Sequence, residues 1–365
     1  MVNLKNDSIE NIVRKYKDKK IICFGAGSLA EQMVKEYSSI QIQNNIFMFF
    51  DNNPDKQGKK VVLGEVEIPV SSPEEMKQYK KDEVVLILTT YFYVDILCEL
   101  DDNDMFHGVD CYIFPYSNHY FKPSPISFRL EKEMKIPKVI HYFWLGGGEI
   151  PQEQKEYMKT WRKFCPDYEI VEWNENNYDI KKIPYMEEAY GSKKWGFVPD
   201  YARLDIIHQY GGIYLDTDVE VLRNLDDLLY QQAFCGFESK YLVNFGSGFG
   251  SAPGNSLIKE LMDDYNDRHF VKENGDLDLT VSCEIQTSLL KKKGLILNNS
   301  LQRVENITVY PSDVLSPLHI ISRIEDITEN SYSIHRFAGS WCPKEQIQSA
   351  NAANEWSKKL KKRFS

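Results

Sequence analysis

Long hydrophobic runs are missing from this chain. Ile46–Phe50 and Val84–Leu88 are among the longest, at five residues each, far short of the ~20 that a membrane-crossing helix needs. The opening stretch, MVNLKNDSIENIVRKYKDKK, holds no apolar core, so no secretory signal is expected. Paired cysteines are missing too. Cys23, Cys98, Cys111, Cys165, Cys235, Cys283 and Cys342 are odd in number and form no C-x-x-C pair. That predicts reduced thiols in a cytoplasmic chain, not a disulfide framework or a zinc site. Basic charge is in deficit: 44 Lys and Arg face 54 Asp and Glu, a net charge of −10. This balance argues against a general nucleic-acid binder. Internal repeats and low-complexity tracts are absent.

What is present is a globular composition with many rings. The 365 residues are 42% hydrophobic and 13% aromatic, enough for two domains of ~150 residues. Aromatic faces suit bases and sugar rings, although most of them fill cores. The first third alternates strand and helix. Residues 1–19 have a helical pattern; Ile21–Phe24 reads as a strand, followed by Gly25-Ala26-Gly27 and a helix to about Tyr37. Strands are expected at 46–50, 66–70, 84–88 and 111–114. Ser72 and Pro73 are set to open a helix. Such alternation predicts a parallel sheet. Residues 115–137, with four prolines, interrupt it.

Beyond that break, Lys138–Trp144 and Glu169–Trp173 read as strands. Asp200–Tyr210 has helical spacing and is stopped by Gly211-Gly212. Ile213-Tyr214-Leu215 then runs straight into Asp216-Thr217-Asp218. Two carboxylates at i and i+2 of an extended chain point to the same side. At a strand end they can share one divalent cation, and Mg²⁺ and Mn²⁺ favour oxygen ligands and keep phosphates in their shell. Such a cation neutralises a pyrophosphate leaving group as a glycosidic bond breaks. Asp200 and Arg203 lie one helical turn apart and share a face, where they can hydrogen-bond hydroxyls and phosphate.

IPKVIHYFWLGG (136–147), PDYARLDIIHQYGGIYLDTDVEVL (199–222) and SIHRFAGSW (333–341) resemble the DxD-containing sugar transferases of glycosyltransferase family 32. More distantly, they resemble the glucosylating domains of large clostridial toxins. The resemblance covers roughly 136–345. It implies a GT-A fold, a nucleotide-sugar donor with UDP-hexose favoured, Mn²⁺ or Mg²⁺, and retention of anomeric configuration by front-side attack. It assigns base stacking to Trp144 and the donor sugar to Asp200 and Arg203. Tyr214 lines the donor site, and Asp216 and Asp218 hold ribose and metal. His335 completes the metal or pyrophosphate site, and Ser340 and Trp341 cover the β-phosphate. The glycines of Gly246–Gly250 suit either a close approach to the sugar or a plain turn. Two departures stand out: Pro199 replaces a small polar residue, and Val281–Thr287 stands where a Gly-Pro turn is usual, with Glu284 or Gln286 as a contact to the transferred sugar or acceptor.

The expected fold class is α/β in two domains: a Rossmann-like parallel sheet over 1–118, a linker at 119–136, a GT-A domain over 137–345 and a basic C-terminal helix at 346–365. In the first domain Gly25, Gly27 and Asp51 resemble an incomplete dinucleotide fingerprint, with Ala30 at the third glycine position. FDNNPDKQG and IPVSSPEEM resemble Rossmann-like domains attached to bacterial sugar-modifying enzymes. In the tail, Trp356, Leu360 and Phe364 share a helical face among five basic residues, a pattern suited to an anionic membrane surface. The leading expectation is a hexosyltransferase of surface or capsular polysaccharide synthesis, acting on a saccharide or lipid-linked acceptor. The alternatives are a non-catalytic nucleotide- or polysaccharide-binding regulator and a toxin-like protein glucosyltransferase.

Overall fold

A computed structural model describes residues 1–117, 125–338 and 352–357. The chain divides into two compact units, one built on 1–117 with 320–324 and 352–357, the other on 125–319 with 325–338.

In the first unit the strands are β1 (Asn3–Leu4), β2 (Lys20–Phe24), β3 (Ile46–Phe50), β4 (Lys60–Leu63), β5 (Val66–Ser71), β6 (Val84–Leu88) and β7 (Asp110–Ile113). They form one sheet in the order β1-β7-β6-β2-β3-β5-β4. All pairs are parallel except β4 with β5. Every residue of β6 is buried, which is why it reads as a continuous apolar run: a parallel strand covered on both faces has no polar side. Helices α1 (Ile9–Lys15), α2 (Ser28–Glu36) and α3 (Tyr93–Asp102) supply the cover. α2 does so with Leu29, Ala30, Met33 and Val34 on its buried stripe. The Ser72 hydroxyl accepts from the Glu74 amide as expected, but Pro73–Gln78 is a 3-10 helix.

Two later segments complete this unit. The Tyr116 hydroxyl donates to the Ser322 carbonyl at 3.2 Å, and Ile324 and Ala353 join the core cluster around Leu86, Leu88 and Leu97. Trp356 packs against the same cluster. The tail residue read as membrane-facing therefore turns to the protein's own core, because burying a large ring there removes it from water. Leu360 and Phe364 lie outside the described residues.

The second unit carries β8 (Val139–Phe143), β9 (Glu169–Trp173), β10 (Gly212–Tyr214), β11 (Val219–Val221), β12 (Ala233–Ser239), β13 (Leu242–Asn244), β14 (Phe249–Ser251), β15 (Gln302–Val304), β16 (Ile307–Tyr310) and β17 (Ser333–His335). Its mixed sheet runs β15-β16-β12-β14-β10-β8-β9 with β13 beside β12, and β11 pairs with β17 separately. Its helices are α4 (Gln152–Phe164), α5 (Pro184–Gly191), α6 (Pro199–Tyr210), α7 (Ser256–Asp263), α8 (Ser282–Lys292) and α9 (Ser312–Leu315). The class is α/β, as expected. Residues 125–136, read as part of a linker, are fixed to this unit: Glu131 and Lys135 donate to the Tyr230 and Leu229 carbonyls, and Ile126 and Phe128 cover its core. Among the described residues no helix is long and apolar enough to cross a membrane.

Candidate active site

β8, β9 and β10 are parallel neighbours, with Tyr214 opposite His141 and Phe143 opposite Trp173. Their C-terminal ends therefore form one edge, and Asp216-Thr217-Asp218 leaves β10 at that edge. The Thr217 hydroxyl donates to Gln154 Oε1 on α4 at 2.9 Å, while Asp216 and Asp218 turn the other way, as alternation requires. Asp218 is held from three directions. Its Oδ1 lies 3.0 Å from His335 Nε2, its Oδ2 accepts from the Ala338 amide at 2.8 Å, and its carbonyl accepts from the Arg336 amide. The pairing of Val219 with His335 across β11 and β17 brings these distant segments together. Ligand atoms of Asp216, Asp218 and His335 lie within 4.8 Å of one another, and buried His335 Nδ1 has no hydrogen-bond partner. Two carboxylates and an imidazole fit Mn²⁺ or Mg²⁺, oxygen-preferring ions that also accept nitrogen. Burial opposes ionisation of Asp218, but His335 and the Ala338 amide outweigh it and lower its proton affinity. Burial likewise opposes protonation of His335, and Asp218 overcomes it and raises the imidazole's affinity.

α6 delivers the second pair. Every residue from Pro199 to Ile207 is buried, so over this stretch the helix is enclosed all round. Arg203 donates to Asp200 Oδ1 at 2.7 Å and to the Pro199 carbonyl at 2.8 Å. Its Nη1 reaches 3.9 Å from Asp216 Oδ2, and its guanidinium lies over the Tyr214 ring at 5.1 Å. The Tyr214 hydroxyl donates to Asp216 Oδ1 at 2.9 Å. Tyr214 is 1% exposed, so it positions Asp216 and Arg203 from behind. Burial pushes the Asp200 carboxyl up to about 6 against the pull of Arg203. Gly246 closes the ring around these groups. A β-carbon there would run into the Asp216 carboxylate and stand 2.9 Å from Arg203 Nη1. Its amide donates to Asn244 Oδ1 at 2.6 Å.

Other expected residues are placed less centrally. Trp144 follows β8 at the same edge, with its indole N–H on the Gly148 carbonyl at 2.5 Å. Ser340 and Trp341 lie outside the described residues. On α8, Glu284 is exposed and Gln286 is fully buried. Gln286 accepts from the Phe245 amide at 3.3 Å, and its Nε2 has no partner. Three neighbours were not singled out in the sequence: Ser282, which favours the ionised form of Asp200, Asn244 and Glu238. They come from a helix start and a hairpin, where no periodicity marks function.

In the first unit Asp51 does meet the Gly25–Gly27 turn, but it binds the turn's own backbone. Asp51 Oδ2 accepts from the Ala26 amide at 2.9 Å and from Lys56 Nζ at 3.0 Å, and Lys56 also donates to the Ala26 carbonyl. The loop amide offered to a phosphate in a dinucleotide fingerprint is occupied here by the chain's own carboxylate.

Comparison with known proteins bears on both units. Residues 151–235, which include Asp200, Arg203 and the DxD, match the glycosyltransferase sugar-binding region containing the DXD motif. This stretch is a DXD-type glycosyltransferase region. Residues 2–106 match the C-methyltransferase C-terminal domain. The chain is 36% identical over 103 residues to inositol phosphoceramide mannosyltransferase 3 of Schizosaccharomyces pombe, covering 27% of this chain and 29% of that protein. It is 24% identical over 222 residues to a glycosyltransferase of Acanthamoeba polyphaga mimivirus, covering 57% of this chain and 84% of that one. The chain thus spans less than a third of the yeast relative's length. The solved glycosyltransferase PaToxG is similar with a TM-score of 0.34 and 15% identity, covering 46% of this chain and 73% of that one.

Proposed function

We propose that this chain transfers a hexose from a nucleotide sugar to a hydroxyl acceptor, at the edge formed by the DxD and α6. The carrying observation is the convergence of Asp216, Asp218 and His335 ligand atoms within 4.8 Å beside the buried Asp200–Arg203 pair. Asp218, Asp216 and His335 would hold a divalent cation, which supplies charge neutralisation to a leaving diphosphate. Arg203 faces the same carboxylates from the other side and offers donors to a phosphate or sugar oxygen. Asp200, partly neutralised by burial, accepts or donates at a sugar hydroxyl. The Asp200–Arg203 hydrogen bond and the Tyr214 ring fix these two groups, so little reorganisation accompanies binding. Trp144 at the sheet edge offers an aromatic face to the base.

The relatives named as inositol phosphoceramide mannosyltransferases favour mannose as the sugar and a lipid headgroup as the acceptor. The favoured donor thereby moves from a UDP-hexose toward GDP-mannose. Retention of configuration fits a site whose diphosphate takes the acceptor proton. A capsular or surface-polysaccharide product is the corresponding acceptor class if the lipid is a polymer carrier.

Thermal shift with GDP-mannose and UDP-hexoses, with and without Mn²⁺, tests this reading. A ligand at ~100 times its Kd adds about 2.7 kcal/mol to the stability of the fold. One nucleotide sugar is expected to raise Tm only with metal, and Asp218→Ala to abolish the rise. A rise that survives Asp218→Ala would dispose of the metal site.

A further inference from the structure

Glu238, next to last in β12, stands beside the groups just described, and the reading above gives it no task. Its Oε2 accepts from Asn244 Nδ2 at 2.5 Å. Asn244 in turn receives the amides of Gly246 and Ser247, and Gly246 lies against the Asp216 carboxylate and Arg203. On the other side Cys283 Sγ, at the start of α8, sits 4.0 Å from Glu238 Oε2. The adjacent Ser282 favours the ionised form of Asp200. Glu238 is thus tied to both halves of the site, the metal-binding half through Asn244 and Gly246 and the sugar-binding half through α8. Glu238 is half-buried and forms no salt bridge among the described residues, with His335 as its nearby basic group. Two buried polar atoms on the segments around it are also without partners, Gln286 Nε2 and His335 Nδ1. Such groups are costly to bury unless something binds them.

We propose that Glu238 is a catalytic carboxylate of this site, facing the anomeric carbon of the donor as that carbon becomes positively charged. The proposal rests on the glycosyl-transfer reading. In the step, the bond from the anomeric carbon to the diphosphate oxygen breaks and its electron pair leaves with the diphosphate. The acceptor oxygen bonds the same carbon and gives its proton to that diphosphate. Glu238 forms no bond and takes no proton; its charge lowers the energy of the oxocarbenium-like state between the two events. Burial raises the proton affinity of Glu238, and the nearby His335 and the Asn244 hydrogen bond act in the opposite direction, toward the charged form the step needs.

The full chain with Mn²⁺ is assayed for release of nucleoside diphosphate from GDP-mannose and UDP-glucose, with water as acceptor. Glu238→Gln keeps a carbonyl for Asn244 while removing the charge. It is expected to slow hydrolysis about 100- to 1000-fold with nucleotide-sugar Kd changed less than threefold. Glu238→Ala is expected to recover activity with added formate, which can refill the space. Unchanged hydrolysis in Glu238→Gln, or a loss appearing only in acceptor KM, overturns the assignment and leaves the transferase reading standing. Loss of Kd in step with rate reduces Glu238 to ground-state binding and also overturns it. If wild-type protein hydrolyses and transfers neither donor, the transferase reading itself falls, and the role of Glu238 with it.

Discussion

At the scale of single residues, the candidate site depends on what a few positions do not carry. Gly246 lacks a side chain where one would strike the Asp216 carboxylate. Gly246→Ala is expected to cut turnover at least tenfold while circular dichroism stays unchanged; full activity would show that the ring can open at little cost. His141 makes a different prediction. It is 3% exposed, accepts the Trp173 indole N–H at 3.1 Å and lies 3.0 Å from the Gly211 carbonyl. Those partners suit a neutral ring protonated at Nε2. Burial lowers its pKa from 6.5 to about 4. The unfolded chain therefore binds this proton first, and stability falls as pH drops from 6.5 toward 4. The loss reaches about 3 kcal/mol at pH 4 for such a shift. Urea unfolding across that range should show a shallower slope in His141→Gln, and equal slopes would refute the neutral ring. The Asp216, Asp218, Asp200 and Arg203 cluster was legible because each pair is local in sequence. Glu238 and Asn244 were not, since only the β12–β13 hairpin and its closing turn bring them to Asp216.

At the scale of elements, α6 shows how the site is anchored. An enclosed helix that carries Asp200 and Arg203 inward must pair them, because a lone buried charge is expensive. Arg203→Met strands Asp200 and is expected to destabilise the protein by about 3–5 kcal/mol. Adding Asp200→Asn to that variant should recover a large part of the loss, and strict additivity in denaturant unfolding would mean the pair is not coupled. Among the strands read from sequence, the unbroken apolar runs Ile46–Phe50 and Val84–Leu88 were found at those bounds, as was Glu169–Trp173. Other short strands escaped. β11 and β17 have three residues each, too few for alternation to register. They exist because they pair with each other across more than a hundred residues of sequence. His335 was placed by resemblance alone, since no local pattern could connect it to Asp218.

At the scale of the whole molecule, the first unit borrows from the far end of the chain. Ile324 is 7% exposed within a core otherwise supplied by residues 2–116 and Ala353. Ile324→Ala should destabilise this unit by about 2–5 kcal/mol, the usual range for such a truncation in a core. Hydrogen exchange read peptide by peptide should show faster opening of β6 and β7, while β8 and β10 keep their protection. Equal loss in both units would mean that they unfold as one. The sequence reading treated each domain as a continuous stretch because patterning reports neighbours along the chain, and Ile320–Ile324 has no length over which to show a period.

That borrowed segment also bears on how the protein is made. A ribosome adds ~5–20 residues per second, and about 200 residues separate Ser117 from Ile324. The first sheet therefore emerges with an open seam and waits on the order of 10–40 s for the strip that closes it. During that interval Leu86, Leu88 and Leu97, which the strip helps to cover, are offered to any chaperone at the tunnel exit. The nascent chain's vulnerable period is thus set by the length of the intervening second unit.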